Sequence, residues 1–316
     1  MSIPGDDYSY DIFTQAAGVV APDRPRDGVD PMGGLEVQRL VAQGASQSAA
    51  RLATYLNGVQ PLTGRFDAFF LVMYFGGGTP LEVGDEVMTL QPNVALERRP
   101  RIPEGVHLLR DDLGIPVMVT NTECEATACY GVRQPDTDTF RYWEIAGASH
   151  VSLPAMASSA TRMERDFGFA PPLDDPFLQA INHVSVAPVA DAALHHLQIW
   201  LRDGVPPPVQ RPIAFAGSPP QIERDADRIA KNGVRLPPVE VPLAHNSALQ
   251  RTPDVFARLV GSYEAFPPEE VRRRYGTRAD YLARYAEAAR GAVAAGVVPP
   301  RDVEPMLDEA AAAFPF

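Results

Sequence analysis

Basic residues, cysteines and long apolar runs are all scarce in this 316-residue chain, and each scarcity excludes a class of protein. Lys and Arg number 28 against 40 Asp and Glu, which gives a formal net charge of -12 and a pI near 5.0. Because phosphate binding needs clustered basic side chains, no nucleic-acid partner is expected. The two cysteines, Cys124 and Cys129, are too few for a disulfide framework or a metal cluster, so we expect two reduced, buried thiols.

Signals for membrane insertion and secretion are also missing from the sequence. The chain contains no run of about 18 apolar residues, the length that a spanning helix needs, so no membrane is expected as a partner. The first seven residues have neither a basic region nor an apolar segment of the kind found in secretory leaders. The resulting expectation is a cytoplasmic protein.

What the sequence does contain is the pattern of an α/β fold. With 45% hydrophobic and 22% charged residues the composition is that of an ordinary globular protein. The later predicted strands are apolar runs, typical of parallel strands whose faces are covered by helices. The predicted strands are 35–43, 66–74, 115–120 and 140–145, and the predicted helices are 10–20, 48–57, 191–201 and 278–295.

Composition divides the chain into three predicted segments. Residues 1–204 form the core, residues 205–250 are rich in proline and predict an extended arm over the surface, and residues 251–316 form a helical C-terminal segment. In this last segment Thr277 is the predicted N-cap of a helix, whose Tyr281 and Tyr285 are predicted to lie in the core.

One short stretch, Gly44-Ala45-Ser46-Gln47-Ser48, lies between a predicted strand and a predicted helix. A serine at such a turn has an exposed hydroxyl and strained backbone angles, which is the arrangement of a nucleophile elbow. The turn is too tight for bulky side chains two positions away, and the small residues Gly44 and Ser48 meet that demand. The usual pattern is G-x-S-x-G, and here Ser48 replaces the second glycine.

Two further strand ends carry the partners that an activated serine requires. Glu123 and Glu125 follow the predicted strand 115–120, and His150 follows strand 140–145. Serine is a poor nucleophile at neutral pH, so an imidazole must accept its proton and a carboxylate must orient and stabilise that imidazole. The chain order Ser46, acid, His150 is the order of α/β hydrolases. Glu123 is the preferred acid because it lies closer to the strand end, and Glu125 is the alternative.

The predicted chemistry is hydrolysis of a small carboxylic ester through an acyl-enzyme, with no metal and no organic cofactor; an amide, thioester or lactone stays open as the substrate. The backbone N–H of Gln47 is the expected oxyanion donor, because the residue after the nucleophile begins a helix. His183, His195 and His196 are interpreted as ordinary structural residues, since no second pair of ligands at metal spacing accompanies them.

Several stretches together resemble a known family. These are Gly44-Ala45-Ser46-Gln47-Ser48-Ala49, Thr122-Glu123-Cys124-Glu125, Trp143-Glu144-Ile145-Ala146-Gly147-Ala148-Ser149-His150, Asp203-Gly204-Val205-Pro206-Pro207 and Tyr281-Leu282-Ala283-Arg284-Tyr285. They are similar to the bacterial "alpha/beta hydrolase domain" family, whose elbow reads G-x-S-Q-S. The resemblance implies a mostly parallel sheet flanked by helices, a C-terminal helical addition, Ser46 as nucleophile, Glu123 as acid and His150 as base. It implies no particular substrate.

The sequence departs from that family at its beginning. Only 45 residues precede Ser46, whereas an α/β hydrolase normally builds several strands, and its second oxyanion donor, before the nucleophile. Missing N-terminal strands are therefore expected, and the strand edge they leave uncovered favours a homodimer or another partner chain. Two alternatives to an esterase stay open: a non-catalytic or truncated hydrolase-like protein, and an acyltransferase that uses the same triad.

Overall fold

Four strands form the sheet on which the fold is built: β1 Val41–Ala45, β2 Ala68–Val72, β3 Val117–Thr122 and β4 Phe140–Ile145. In the computed structural model, which describes residues 7–25, 27–81, 107–249 and 255–316, the strands are parallel, lie in the order β1-β2-β3-β4 and are flanked by helices. β1 and β2 pair from Val41 opposite Ala68 to Ala45 opposite Val72. The α/β class predicted from the sequence is confirmed.

The predicted strands are found in the expected places, with differences at their ends. The strand predicted at 140–145 agrees at both ends, and the one predicted at 115–120 lies two residues later. The largest difference concerns residues 35–40, which precede β1 and do not belong to it. The side chain of Asp67 accepts a hydrogen bond from the amide of Leu40 at 2.7 Å, and this local contact occupies the donor that a longer strand would need.

Helices connect and cover these strands. Their bounds within the described residues are α1 Ser9–Val20, α2 Gln47–Thr54, α3 Gln60–Thr63, α4 Glu123–Cys129, α5 Leu153–Phe167, α6 Pro176–Gln179, α7 Ala187–Asp203, α8 Pro237–Glu240, α9 Val255–Val260, α10 Pro268–Tyr275, α11 Arg278–Ala294 and α12 Val303–Ala313. A π-helical turn, Tyr55–Val59, joins α2 to α3. Residues 79–110 are predicted from the sequence to form a loop with only short structure, and most of them lie outside the described residues.

Two compact units alternate along the chain. The first comprises Met1–Val119, Ala128–Tyr142 and His196–Pro206, and the second comprises Thr120–Thr127, Trp143–His195 and Pro207–Phe316. β3 and β4 each begin in the first unit and end in the second.

An aromatic cluster joins the core of the first unit to α1, where Phe13 is its exposed edge. The ring of Phe13 on α1 lies 5.4 Å from that of Tyr55 and 5.1 Å from that of Phe66. Phe69 of β2 extends the cluster, with its centroid 5.7 Å from that of Phe66. These edge-on and stacked contacts are among the geometries that aromatic pairs prefer, and they hold α1 against the sheet. The helix predicted at 10–20 is confirmed as α1.

The proline-rich segment contributes to the core of the second unit. It contains two antiparallel strands, β5 Phe215–Ala216 and β6 Gln221–Ile222, and then α8 and a further strand, β7 Ala244–Ser247. Ile213, Ile229 and Val234 are almost completely buried. The segment is therefore not an arm lying over the surface, because its apolar residues pack inward between the prolines.

The C-terminal helices agree with the sequence prediction. The side chain of Thr277 accepts a hydrogen bond from the amide of Asp280, which caps α11. Tyr281 and Tyr285 are buried on α11, and the ring centroid of Tyr281 lies 5.3 Å from that of Phe314. A last strand, β8 Ser262–Ala265, pairs antiparallel with β7. In the described part of the chain, no helix combines the length and the apolar character needed to cross a membrane.

Candidate active site

Ser46 lies at a sharp turn between the end of β1 and the start of α2. Its backbone angles are φ 58° and ψ -121°, and it is one of four non-glycine residues with positive φ in the described chain. Such angles cost about 1–3 kcal/mol and persist only where the surroundings enforce them. Here the amide of Ser46 donates to the carbonyl of Val72 at 2.9 Å, and its own carbonyl accepts from Ala49 at 3.0 Å. These two backbone hydrogen bonds hold the half-buried serine in this conformation.

The sequence pattern around this turn has a direct steric cause at Gly44. A Cβ atom at this position would lie 2.6 Å from the carbonyl oxygen of Ser48 and 2.8 Å from its carbonyl carbon. Those atoms belong to the backbone of α2 and cannot move aside cheaply. Ser48 itself is exposed, so its side chain is accommodated where the usual pattern has glycine.

Gln47 is the first residue of α2 and is half-buried. The N–H groups of a helical first turn point away from the helix body and carry partial positive charge. The backbone N–H of Gln47 therefore lies at the positive end of α2, directly after Ser46.

In the second unit, His150 is paired with a carboxylate, and that carboxylate is Glu125. Nδ1 of the imidazole lies 2.7 Å from Oε1 of Glu125, which is fully buried. An ionised carboxylate only accepts, so in a pair with ionised Glu125 the proton lies on Nδ1, and Nε2 is the ring nitrogen that can act as a base. The other oxygen of Glu125 accepts from the amide of Thr122 at 2.8 Å and from its hydroxyl at 2.6 Å. The carboxylate is thus fixed from both sides.

Glu123, the preferred acid of the sequence analysis, has different partners. Its Oε2 accepts from the amide of Gly147 at 2.8 Å, and its Oε1 lies 2.6 Å from a guanidinium nitrogen of Arg224. The imidazole of His150 is therefore paired with Glu125, the alternative acid of the sequence analysis, and not with the preferred Glu123. Strand β3 extends to Thr122, so Glu123 directly follows the strand and its carboxylate contacts the loop after β4. Glu125, two residues further along, is the carboxylate that reaches His150.

Asn182 supports the loop that carries His150, and sequence reasoning missed it. Its side-chain nitrogen donates to the carbonyls of Gly147 at 2.7 Å and Ser247 at 3.1 Å, while its oxygen accepts from the amide of Val184 at 2.8 Å. The side chain is fully buried, so each contact replaces a bond to water. The stretch 178–184 contains Gln179 and His183 beside Asn182, so no signal in the sequence singled out Asn182. Arg224 likewise carries no signal, because its partner is about a hundred positions away.

The two cysteines are buried thiols that form no disulfide, as predicted. Burial, with a smaller contribution from the charge of Glu125, raises the pKa of the Cys124 thiol well above its usual range. Cys129 donates to the carbonyl of Tyr74 at 2.8 Å. Cys124 therefore remains a neutral thiol beside the carboxylate pair and does not compete as a nucleophile. Within the described residues, no group of three or more His, Cys, Asp or Glu side chains is arranged to hold a metal ion.

Comparison with known proteins gives one match. The model of a family described as alpha/beta hydrolase domain matches residues 1–308, which is nearly the whole chain. No curated protein and no solved structure matches the chain. The match agrees with the resemblance found in the sequence and indicates a hydrolase-type function, without naming a substrate.

Proposed function

Because the chain belongs to the alpha/beta hydrolase domain family, we propose that it is a serine hydrolase of carboxylic esters. The observation that carries the proposal is the backbone conformation of Ser46, which is held at φ 58° between β1 and α2. Gly44 lies beneath this turn, and any other residue there would place its Cβ against the backbone of α2. A non-glycine residue kept in a strained conformation at a strand-to-helix turn is typical of functional sites.

The order of the sheet supports the choice of partners. Ser46 follows β1, Glu125 follows β3 and His150 follows β4, and all three strands belong to one parallel sheet. In open parallel sheets, sites form outside the carboxyl ends of the strands. The proposed triad is Ser46, His150 and Glu125.

In the proposed reaction, Oγ of Ser46 attacks the ester carbonyl carbon while Nε2 of His150 accepts the hydroxyl proton. Glu125 stabilises the imidazolium that forms and keeps the ring in the tautomer whose Nε2 is basic. The backbone N–H of Gln47 donates to the developing oxyanion. When the tetrahedral adduct collapses, the C–O bond to the alcohol breaks, the imidazolium protonates the alcohol, and an acyl ester remains on Ser46.

The second half of the reaction repeats these steps with water. His150 removes a proton from a water molecule, whose oxygen attacks the acyl carbon, and the ester bond to Ser46 breaks as the serine oxygen takes back the proton. The products are a carboxylic acid and the regenerated enzyme. Every proton transfer uses a group of the chain itself.

The test is labelling of the purified protein with a fluorophosphonate, which reacts with activated serines whatever their natural substrate, followed by localisation of the adduct by mass spectrometry. We expect about one adduct per chain at Ser46, lost in Ser46→Ala and reduced at least tenfold in His150→Ala, the usual contribution of a general base being about 10²–10⁴-fold. Ser48→Ala is the matched control, because Ser48 is an exposed serine two positions away, and its label should be unchanged.

Labelling that persists in Ser46→Ala would overturn the assignment of the nucleophile. A folded protein that takes no label at Ser46 would overturn the enzyme proposal itself. Turnover of short acyl esters by the labelled form would contradict the acyl-enzyme mechanism.

A further inference from the structure

A cavity of about 480 Å³ lies within the second unit. Its volume falls in the range of about 300–1,000 Å³ that is usual for small-molecule sites. None of the three proposed triad residues lines it, so the ester hydrolysis described above does not account for it.

Aromatic and apolar side chains form the walls of this cavity. Tyr281 and Tyr285 contribute from α11, and Met306 contributes from α12. On another wall His183 stacks on Tyr263, with ring centroids 3.7 Å apart and planes 10° apart. Burial lowers the pKa of His183, so this ring pair presents an uncharged aromatic surface near neutral pH.

The phenol groups of Tyr281 and Tyr285 belong to side chains that line the cavity and are 2% and 5% exposed. Burial raises the pKa of both phenols far above neutrality, so both are uncharged. A neutral phenol oxygen both donates and accepts hydrogen bonds, so each hydroxyl can bond to a molecule that enters the cavity.

Charge at the cavity is of one sign. Asp191, Asp302 and Glu309 line it, and the lining includes no Lys or Arg from the described residues. Arg301, which does not line the cavity, lies 2.9 Å from Asp191 and 3.6 Å from Asp302 and offsets part of that charge. The remaining negative potential disfavours an anionic guest and favours a cationic one.

We propose that this cavity binds a small organic cation, consisting of an ammonium group on an aromatic or alicyclic body. The apolar walls bury the body of the ligand, the tyrosine faces attract the cation through their ring quadrupoles, and the phenol oxygens accept hydrogen bonds from the ammonium N–H groups. The carboxylates add a long-range attraction that raises the local concentration of cations.

Three probes of similar shape test the proposal by isothermal titration calorimetry on the full chain at low ionic strength. They are 1-naphthylmethylammonium, neutral 1-naphthylmethanol and anionic 1-naphthoate. The cation should bind with a dissociation constant of about 0.1–1 mM, which is ordinary for a ligand of this size. The alcohol should bind at least about fivefold more weakly, and the anion more weakly than the alcohol. Added salt should reduce the difference between cation and alcohol.

Matched variants locate the binding. Ala313→Trp places an indole on an exposed lining position and should abolish binding, whereas Ala312→Trp, at the exposed neighbouring position off the lining, should leave it unchanged. Glu309→Gln should weaken binding of the cationic probe and leave binding of the alcohol unchanged. Tyr285→Phe should weaken binding of the cationic probe about fivefold, because the phenol hydroxyl is lost.

Equal binding of the anion and the cation, or an unchanged affinity in Ala313→Trp, would overturn the proposal. Equal binding of the alcohol and the cation would also overturn it, because the cavity would then select only apolar shape. The experiment measures binding and not turnover, so its result is independent of the labelling of Ser46.

Discussion

The pairing of His150 with Glu125 makes a sharp prediction for the variant Glu125→Gln. The new side chain has the same shape, but its orientation is dictated by Thr122, whose amide and hydroxyl occupy Oε2 of the native carboxylate. The amide oxygen of Gln takes over those contacts, and its NH₂ group then faces Nδ1 of His150. A donor at that position forces the ring proton onto Nε2, which leaves no basic nitrogen for the serine hydroxyl.

The size of the effect follows from the charge that is removed. During attack on the ester the imidazole becomes positive beside the carboxylate, whose oxygen is 2.7 Å from Nδ1. With charge centres about 4 Å apart and an effective dielectric constant of about 20, this interaction amounts to about 4 kcal/mol. Since 1.4 kcal/mol corresponds to a factor of ten, kcat should fall about 10³-fold. The wrong tautomer adds to this loss.

Glu123→Gln is the matched control for this variant. It makes the same chemical change two residues away, where the native carboxylate pairs with Arg224 and accepts from the amide of Gly147. We expect it to lower the free energy of unfolding by about 1–3 kcal/mol, because it leaves a guanidinium without its anion. Turnover by the folded fraction should fall far less than in Glu125→Gln.

The assay is steady-state hydrolysis of a chromogenic short-chain acyl ester, with urea unfolding of each variant measured in parallel. A folded Glu125→Gln that keeps more than about a tenth of the native kcat would refute the reasoning, since an oriented and charged imidazole is worth at least that factor. Equal losses of kcat in the two glutamine variants would also refute it, because the data would then give no reason to assign Glu125 rather than Glu123 as the acid of the triad.

Four other changes have expected outcomes of known sign. Gly44→Ala should destabilise the fold by about 2–3 kcal/mol and abolish fluorophosphonate labelling, since its Cβ would lie 2.6 Å from the backbone of α2. By contrast, Gly291→Ala should stabilise the fold by up to about 1 kcal/mol, because the position lies inside α11 and has open space around it. Asn182→Ala should cost about 3 kcal/mol in urea unfolding, because it leaves buried backbone groups unpaired. Asp227→Asn should cost about 1 kcal/mol near neutral pH. The guanidinium of Arg274 holds the pKa of the Asp227 carboxyl below its ordinary value of 3.8, so the native advantage is present above that pH and disappears as the pH falls further; a cost that grows on acidification would contradict this sign.

Local physics explains why much of the fold could be predicted from the sequence. Strand β4 was placed correctly at both ends because its run of β-branched and aromatic residues is bounded by turn residues. The cap at Thr277 was found because capping depends on one side chain and an amide three residues away. These features are decided within a few positions of the chain, where sequence patterns are informative.

Contacts between distant segments explain what could not be predicted. The choice between Glu123 and Glu125 depends on Arg224, which lies about a hundred residues further along the chain. The buried structure of the proline-rich segment depends likewise on contacts such as that between the amide of Ile213 and the side chain of Glu144, at 2.8 Å. Proline content limits regular helix and sheet but carries no information about which neighbours cover the chain.

The two glycine positions of the usual elbow pattern, which are occupied here by Gly44 and Ser48, are under different steric constraints in this protein. Gly44 is required because the first turn of α2 passes over its Cα, and any Cβ would overlap the carbonyl group of Ser48. The position two residues after the nucleophile has no such constraint, because Ser48 lies exposed on the helix. A deviation at the second glycine therefore leaves the geometry of the serine intact, whereas a deviation at the first would change it. For elbows of this kind, a glycine two positions before the serine is the better criterion for recognising the turn. The serine at position 48 is therefore no argument against the proposal that Ser46 is the nucleophile.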